Sequence, residues 1–87
     1  MDTQRLNRLK FRAWRRGFRE ADLILGGFAD RHAASMTDAE LSRFEVLLEE
    51  SDHDIYGWIM GSQPVPPVFD DALMTALRAF QPAIPGD

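Results

Sequence analysis

Apolar residues recur at spacings of three and four in five short segments of this 87-residue chain, and no segment alternates apolar and polar residues as a strand does. Prolines and glycines separate the segments, and both residue types disfavour the interior of a helix. The pattern predicts an all-α protein, a small five-helix bundle. Because the length leaves room for one core, we expect a single helical domain over residues 1–87 with an ordered core from about 5 to 80.

The first two segments flank a glycine. Their periodicity predicts a helix over about residues 4–15 and a second from about residue 18, with Phe18 in its apolar stripe, to residue 30 or beyond. Gly17 costs about 1 kcal/mol inside a helix relative to alanine, so it marks a bend or a cap between the two helices. Gly26-Gly27 weakens the second helix and favours close approach of a neighbouring helix.

Capping residues define the third and fourth helices. Thr37 and Glu40 have the spacing of a capping box, which predicts a helix start. Asp52 is the expected N-cap of a helix over about residues 53–60, and Gly61 is its expected C-terminal cap. The expected inward-facing residues are, for the third helix, Leu41, Phe44, Leu47 and Leu48, and for the fourth, Ile55, Trp58 and Ile59, with Tyr56 and Met60 beside them.

Prolines frame the fifth helix. Pro66 or Pro67 suits its first turn, and Pro82 and Pro85 are expected to end it before a frayed tail. Its expected apolar stripe is Phe69, Leu73, Ala76, Leu77 and Phe80.

Composition narrows the class of protein. The chain has no cysteine, which removes disulfides, thiolate metal sites and thiol catalysis, and fits a reducing compartment. No apolar run approaches the roughly 20 residues that span a bilayer, and arginines interrupt the N-terminal third. We therefore expect a cytoplasmic protein with no direct membrane insertion.

Charge is distributed unevenly along the chain. Residues 1–19 carry a net charge of +6, and residues 20–87 carry −10. Arg5, Arg8, Arg12 and Arg15 recur on one side of the first helix, which is typical of a solvated polar face and also of a docking face for an acidic partner. A basic nucleic-acid-binding helix is a further alternative, but the acidic remainder and the pI near 5.0 would repel phosphate, so we expect no nucleic-acid binding.

Few residues suggest catalysis. His32 and His53 lack a second ligand at metal-like spacing, so we expect no metal site and no catalytic histidine. Glu20 and Asp22 would point about 200° apart on a helix, which prevents them from sharing a substrate. No nucleophile elbow or dinucleotide fingerprint is present, so we expect no catalytic residues and no enzymatic activity.

Charged residues concentrate around Gly17, and the candidate partner-binding residues are Arg15, Arg16, Gly17, Glu20 and Asp22. Arg16 and Glu20 would be neighbours at i, i+4 if the helix begins early enough, and a glycine lets a partner approach closely. From spacing alone, a recognition surface and a charged corner held by internal ion pairs are equally good interpretations.

Arg16-Gly17-x-x-Glu20-x-Asp22 resembles the Arg-Gly-x-x-Glu-x-Asp signature of the SdhE family, small succinate dehydrogenase flavinylation factors with mitochondrial relatives. The similarity continues in Leu47-Leu48-Glu49, Asp52-x-Asp54 and Trp58-Ile59-Met60. It covers nearly the whole chain, roughly residues 5–80.

The resemblance implies an assembly factor that is a five-helix bundle and not an enzyme. It implies binding to the flavoprotein subunit of succinate dehydrogenase, with that of fumarate reductase as a second client, and promotion of covalent FAD attachment to a histidine of that partner. No cofactor would be bound stably by the factor itself, and we expect a monomer when free. The contact would use Arg16, Gly17 and Glu20 first and Asp22 and Arg15 second, unless Asp22 braces the turn. The family also suggests an alternative, an antitoxin-like partner of a small membrane toxin.

Overall fold

The computed structural model describes residues 3–80. Within them the regular structure consists of five α-helices and two 3₁₀ turns (Ala33–Ser35 and Pro67–Phe69), with no strand, so the all-α five-helix prediction is confirmed. None of these helices combines the length and hydropathy that a membrane-spanning segment requires. The helices are α1 (Thr3–Trp14), α2 (Arg19–His32), α3 (Asp38–Leu47), α4 (Asp52–Met60) and α5 (Ala72–Ala79).

Side-chain caps set the starts of α3 and α4. Thr37 Oγ1 accepts a hydrogen bond from the Glu40 N–H at 3.1 Å, and the Glu40 carboxylate accepts one from the Thr37 N–H at 2.8 Å, which confirms the capping box. The prediction of Asp52 as an N-cap is wrong. Ser51 caps α4 by accepting from the Asp54 N–H at 3.2 Å, and Asp52 is the first helical residue. The Asp52 carboxylate therefore makes its contacts elsewhere.

The end of α4 and the start of α5 follow different rules. Gly61 ends α4 with φ of 84°, in the left-handed region, as predicted. The prediction that a proline begins the fifth helix is wrong, because Pro67 opens a 3₁₀ turn in which Phe69 stacks on Trp58 with ring centroids 5.3 Å apart. The Asp71 side chain then caps α5 by accepting from the backbone of the third helical residue. The predicted helix ends at Pro82 and Pro85 and the predicted frayed tail lie outside the described residues.

The core is one cluster of buried apolar side chains to which all five helices contribute. The stripe predicted for α3 is buried throughout. Two predictions fail at the periphery: Met60 is 59% exposed, and Ala76 is exposed while Met74 is buried in its place, because α5 starts later than expected. The largest fully buried side chains are Phe44, Leu9, Leu25, Leu41, Leu47, Ile55, Met74 and Leu77.

Gly26 lets the indole of Trp14 lie directly on α2. A Cβ at position 26 would come within 2.2 Å of the ring, and the indole Nε1–H donates to Asp30 Oδ2 at 3.1 Å. A Cβ at position 27 would meet the Phe80 ring first, at 3.3 Å. The expected close approach at this glycine pair is therefore found chiefly at Gly26, and it fixes the α1–α2 pair beside the loop that joins the two helices.

Arginine side chains connect helices that are distant in sequence. Arg5 of α1 donates hydrogen bonds from Nε and Nη2 to the Glu45 carboxylate of α3, at 3.1 and 2.8 Å. Arg43 of α3 pairs with Asp71, the cap of α5, at 2.6 Å. These pairs orient α1 and α5 against α3, although partly exposed pairs of this kind contribute only about 1 kcal/mol or less each.

Candidate partner-binding site

The loop between α1 and α2, residues 15–18, is called the Gly17 loop below. Phe18, the residue before α2, is extended (φ −156°, ψ 160°), and its side chain makes no capping hydrogen bond. Asp22, in the first turn of α2, accepts instead from the backbone N–H of Arg16 at 2.6 Å. A carboxylate there also suits the positive end of the helix dipole. Asp22 thus braces the loop, which was one of the two roles expected for it.

Asp52 holds the Gly17 loop from the side of α4. Its Oδ2 accepts from the backbone N–H of Gly17, and its Oδ1 accepts from Arg16 Nε at 2.6 Å. A Cβ at position 17 would lie 2.9 Å from Oδ2, so the loop can approach this closely only because residue 17 is glycine. The sequence pattern does not predict this role. The Asp52-x-Asp54 segment pointed to the residue but suggested only a helix cap.

The Arg16 side chain is almost fully buried, with 9% of it exposed. Besides Asp52, its guanidinium reaches two carbonyl oxygens at the end of α3 by donating from Nη2 to Leu48 at 2.9 Å and to Glu50 at 3.2 Å. Carbonyls at a helix C-terminus lack helical partners, so an arginine satisfies them well. The expected Arg16–Glu20 helical pair does not form, since residue 16 precedes α2 and its charge is used against Asp52.

Aromatic rings of α4 pack against Phe18, the last residue of the Gly17 loop. The Phe18 ring stacks on His53 with centroids 5.0 Å apart and meets the Tyr56 ring edge-on at 5.2 Å. The expectation that Phe18 joins the apolar stripe of α2 is wrong, because the residue lies outside the helix and packs on α4. This contact brings His53 close to the loop, where it serves as a ring to pack against.

Three predicted site residues remain exposed at the surface of the loop and the first turn of α2. The Glu20 carboxylate makes no hydrogen bond or ion pair within the described part of the chain. The Arg15 guanidinium lies over the Phe11 ring, 4.2 Å from its centroid. The five predicted residues therefore divide into two that hold the loop internally, Arg16 and Asp22, and three that it exposes, Arg15, Gly17 and Glu20.

Among residues 3–80, no three His, Asp or Glu side chains are placed to hold a metal ion. His32 packs its ring against Phe28 and Phe80, with centroids 4.7 and 6.2 Å away. Both histidines thus make ring contacts near helix ends. What the site offers chemically is an accessible stretch of backbone at Gly17 beside an exposed carboxylate at Glu20.

The described residues form a small helical scaffold that carries a short loop, held internally by Arg16, Asp22 and Asp52 and exposed at Gly17. The chain belongs to the family described as flavinator of succinate dehydrogenase, whose model (Sdh5) matches residues 7–81. The family assignment made from the Arg-Gly-x-x-Glu-x-Asp signature is thereby confirmed.

Curated relatives agree with the family. The chain is 44% identical over 62 residues to the FAD assembly factor SdhE of Acetobacter pasteurianus, covering 71% of this chain and 57% of the relative. It is 44% identical over 61 residues to the mitochondrial succinate dehydrogenase assembly factor 2 of Candida glabrata, covering 70% of this chain and 40% of that relative. The protein of the same name from Dictyostelium discoideum is 33% identical over 71 residues, covering 82% of this chain and 50% of that relative. The chain thus spans about half the length of the curated relatives it matches.

Proposed function

We propose that this protein is an assembly factor that binds the flavoprotein subunit of succinate dehydrogenase and promotes covalent attachment of FAD to it. Membership in the flavinator family supports the proposal, as do relatives named as FAD or succinate dehydrogenase assembly factors. Neither the antitoxin-like alternative nor the nucleic-acid alternative gains support from the family match.

The observation that carries the proposal is the construction of the Gly17 loop. Two carboxylates, Asp22 and Asp52, and the Arg16 guanidinium fix its backbone from three directions. A loop held in this way loses little conformational entropy on binding, which raises the affinity for a partner of matching shape. Gly17 is exposed, so a partner can reach the loop there, and the exposed Glu20 carboxylate is available for a charge-assisted hydrogen bond.

The mechanism that we propose requires no catalytic group in this chain. FAD and the acceptor histidine belong to the flavoprotein, and the assembly factor binds the flavoprotein conformation in which the two are positioned to react. A ligand shifts a conformational equilibrium only through its different affinities for the two states. Contacts at Gly17 and Glu20 that form in one client conformation only would supply that difference, and this chain would hold no FAD stably.

The roles of the site residues follow from their placement. Arg15, Gly17 and Glu20 make the proposed contacts with the client. Arg16 and Asp22 act through the loop as positioning residues, and Asp52 joins them. We propose that a substitution of Arg15 or Glu20 lowers flavinylation without changing stability, whereas a substitution of a positioning residue, or of Gly17 with its contact to Asp52, lowers both.

The proposal is tested by co-expressing the flavoprotein subunit with and without this protein and measuring flavin fluorescence of the subunit band in a denaturing gel. We expect covalent flavin to fall at least about tenfold without the factor, which corresponds to about 1.4 kcal/mol. Equal fluorescence in the two samples would overturn the proposal. A Gly17→Arg variant that folds normally yet supports full flavinylation would remove the Gly17 loop from the contact.

Two further expectations extend the proposal. Co-expression with the flavoprotein subunit of fumarate reductase tests the second client in the same gel. Growth on succinate after deletion separates the assembly role from an antitoxin role, because an antitoxin would be needed on every carbon source. A cytoplasmic location and a monomeric free state stay predictions, which cell fractionation and light scattering test.

A further inference from the structure

The exposed side of α1 carries a second surface, called the basic face below, formed by Arg8, Phe11, Arg12 and Arg15. Spacings of three and four place these residues on one side of α1 and its C-terminal extension, and all four are exposed. Arg15 is also the first residue of the Gly17 loop, so the basic face runs directly into the proposed client contact.

Arg5 has the same spacing but does not belong to the basic face. Its guanidinium donates hydrogen bonds to the Glu45 carboxylate and, from Nη2, to Ser42 Oγ at 2.8 Å. These bonds join α1 to α3. The Arg5 hydrogen bond lowers the pKa of Glu45, and the charges of Arg12 and Arg8 lower it further by smaller amounts. The arginine stripe seen in the sequence therefore divides into one internal member and an exposed remainder.

The three arginines of the basic face lack an internal ion pair. Within residues 3–80, no carboxylate forms an ion pair with Arg8, Arg12 or Arg15. No acidic residue occurs between residues 3 and 19, so α1 itself supplies no carboxylate to offset these charges, and the acid on which Arg8 and Arg12 act is Glu45 of α3, which Arg5 already binds.

Phe11 adds an apolar element to the basic face. Its side chain is 59% exposed, and its only aromatic or cationic neighbour in the described structure is the guanidinium of Arg15, 4.2 Å above the ring. A cation held over an exposed ring contributes about 0.5–1 kcal/mol. Arginine and aromatic side chains are enriched at protein–protein contacts relative to the rest of the protein surface.

We propose that the basic face docks an acidic segment of the client flavoprotein, extending the contact of the Gly17 loop along α1. The inference rests on the proposed function and adds to it the chemistry of the partner surface. Charge complementarity argues for a protein carboxylate surface, because guanidinium groups bind carboxylates in a fork and Phe11 would bury apolar area there. Long phosphate polymers are disfavoured, since residues 20–87 carry a net charge of −10.

Association kinetics with the purified flavoprotein subunit test the basic face. The double variant Arg8→Gln/Arg12→Gln is compared with the control Lys10→Gln/Arg31→Gln, which removes the same charge. Lys10 lies about 200° around α1 from Arg8, and Arg31 lies in the last turn of α2. We expect the test variant to lower the association rate about tenfold at low ionic strength, with the difference shrinking as salt is added. We expect the control to stay within about twofold of wild type.

The outcomes separate the two proposals. If wild type does not bind the flavoprotein, the proposed function fails and the basic face fails with it. If wild type binds and supports flavinylation but both double variants associate equally, net charge alone matters and the basic face is overturned. A mobility shift of duplex DNA that depends on Arg8 and Arg12, with flavoprotein association unchanged, would assign the surface to nucleic acid. A Phe11→Ala variant that dissociates faster than wild type would support the docking surface, and an unchanged dissociation rate would remove Phe11 from it.

Discussion

The carboxylate of Asp52 lies so close to Gly17 that a methyl group on residue 17 would come within 2.9 Å of its Oδ2. The two residues are 35 positions apart, and their hydrogen bond joins the α1–α2 loop to the start of α4. The glycine of the family signature thus has an internal reason, close approach to a carboxylate, as well as the proposed external one.

Gly17→Ala should lower the free energy of unfolding by about 1 kcal/mol, because the added methyl pushes Asp52 away and weakens its hydrogen bond to the loop. In an Asp52→Ala background the same change should cost much less, since the three heavy atoms nearest the new methyl all belong to Asp52. A double-mutant cycle by urea denaturation measures the coupling. Equal costs in the two backgrounds would contradict the contact.

Arg16→Ala should destabilise the fold by about 3 kcal/mol, because it removes the charged partner of the Asp52 carboxylate and the donor to the Leu48 and Glu50 carbonyls. Arg31→Ala, an exposed arginine in the last turn of α2, is the matched control and should change stability by less than about 0.5 kcal/mol. Thermal melts of both variants give the comparison. Similar melting temperatures would mean that Arg16 does not hold the loop.

Gly26 and Gly27 are adjacent but should respond differently to alanine. A Cβ at Gly26 would overlap the Trp14 ring, so Gly26→Ala should cost about 2 kcal/mol and shift the tryptophan emission as the indole is displaced. At Gly27 the nearest ring atoms are 3.3 Å away, and alanine also favours the helix, so Gly27→Ala should be close to neutral. Equal melting temperatures for the two variants would contradict this expectation.

Acid should weaken the α1–α3 contact through Glu45. Its pKa in the folded protein lies below the ordinary value of 4.5, chiefly because Arg5 donates hydrogen bonds to the carboxylate. The stabilisation is therefore complete above about pH 4.5 and is lost as the pH falls through the lowered pKa. Since the pair is partly exposed, we expect a difference of about 0.5 kcal/mol between wild type and Glu45→Gln at neutral pH that disappears in acid.

Glu49→Gln is the control for that experiment, because Glu49 is exposed after the end of α3. It removes the same charge as Glu45→Gln and leaves the contact between Arg5 and Glu45 in place. Parallel pH dependence in the two variants would show that the Arg5 contact does not stabilise the fold.

Local chemistry explains what could be predicted from sequence. The capping box at Thr37 and the left-handed Gly61 depend on neighbours within a few residues, so the pattern determines them. The proline start of the fifth helix was wrong because a tertiary contact, Phe69 stacking on Trp58, holds the preceding turn. Prolines permit a helix start without requiring one.

In the candidate site, too, sequence predicts the local features but not the tertiary contacts. The family signature identified the residues around Gly17, and the structure places them in the Gly17 loop and the first turn of α2. Their roles were not readable from spacing, because the partner of Arg16 and Gly17 is Asp52, which local pattern assigned to a helix cap. An interaction across more than thirty residues leaves no periodic signal, so only the folded chain reveals which charges are internal and which are exposed.

The central claim is tested most directly by the rate of covalent flavin incorporation in a purified system of apo-flavoprotein subunit, FAD and this protein. Glu20→Gln is the decisive variant, because the exposed Glu20 carboxylate has no partner within residues 3–80 and its loss should leave the melting temperature unchanged. We predict that wild type accelerates incorporation at least about tenfold and that Glu20→Gln loses most of that acceleration. Equal rates for wild type, Glu20→Gln and the reaction without the factor would contradict the account.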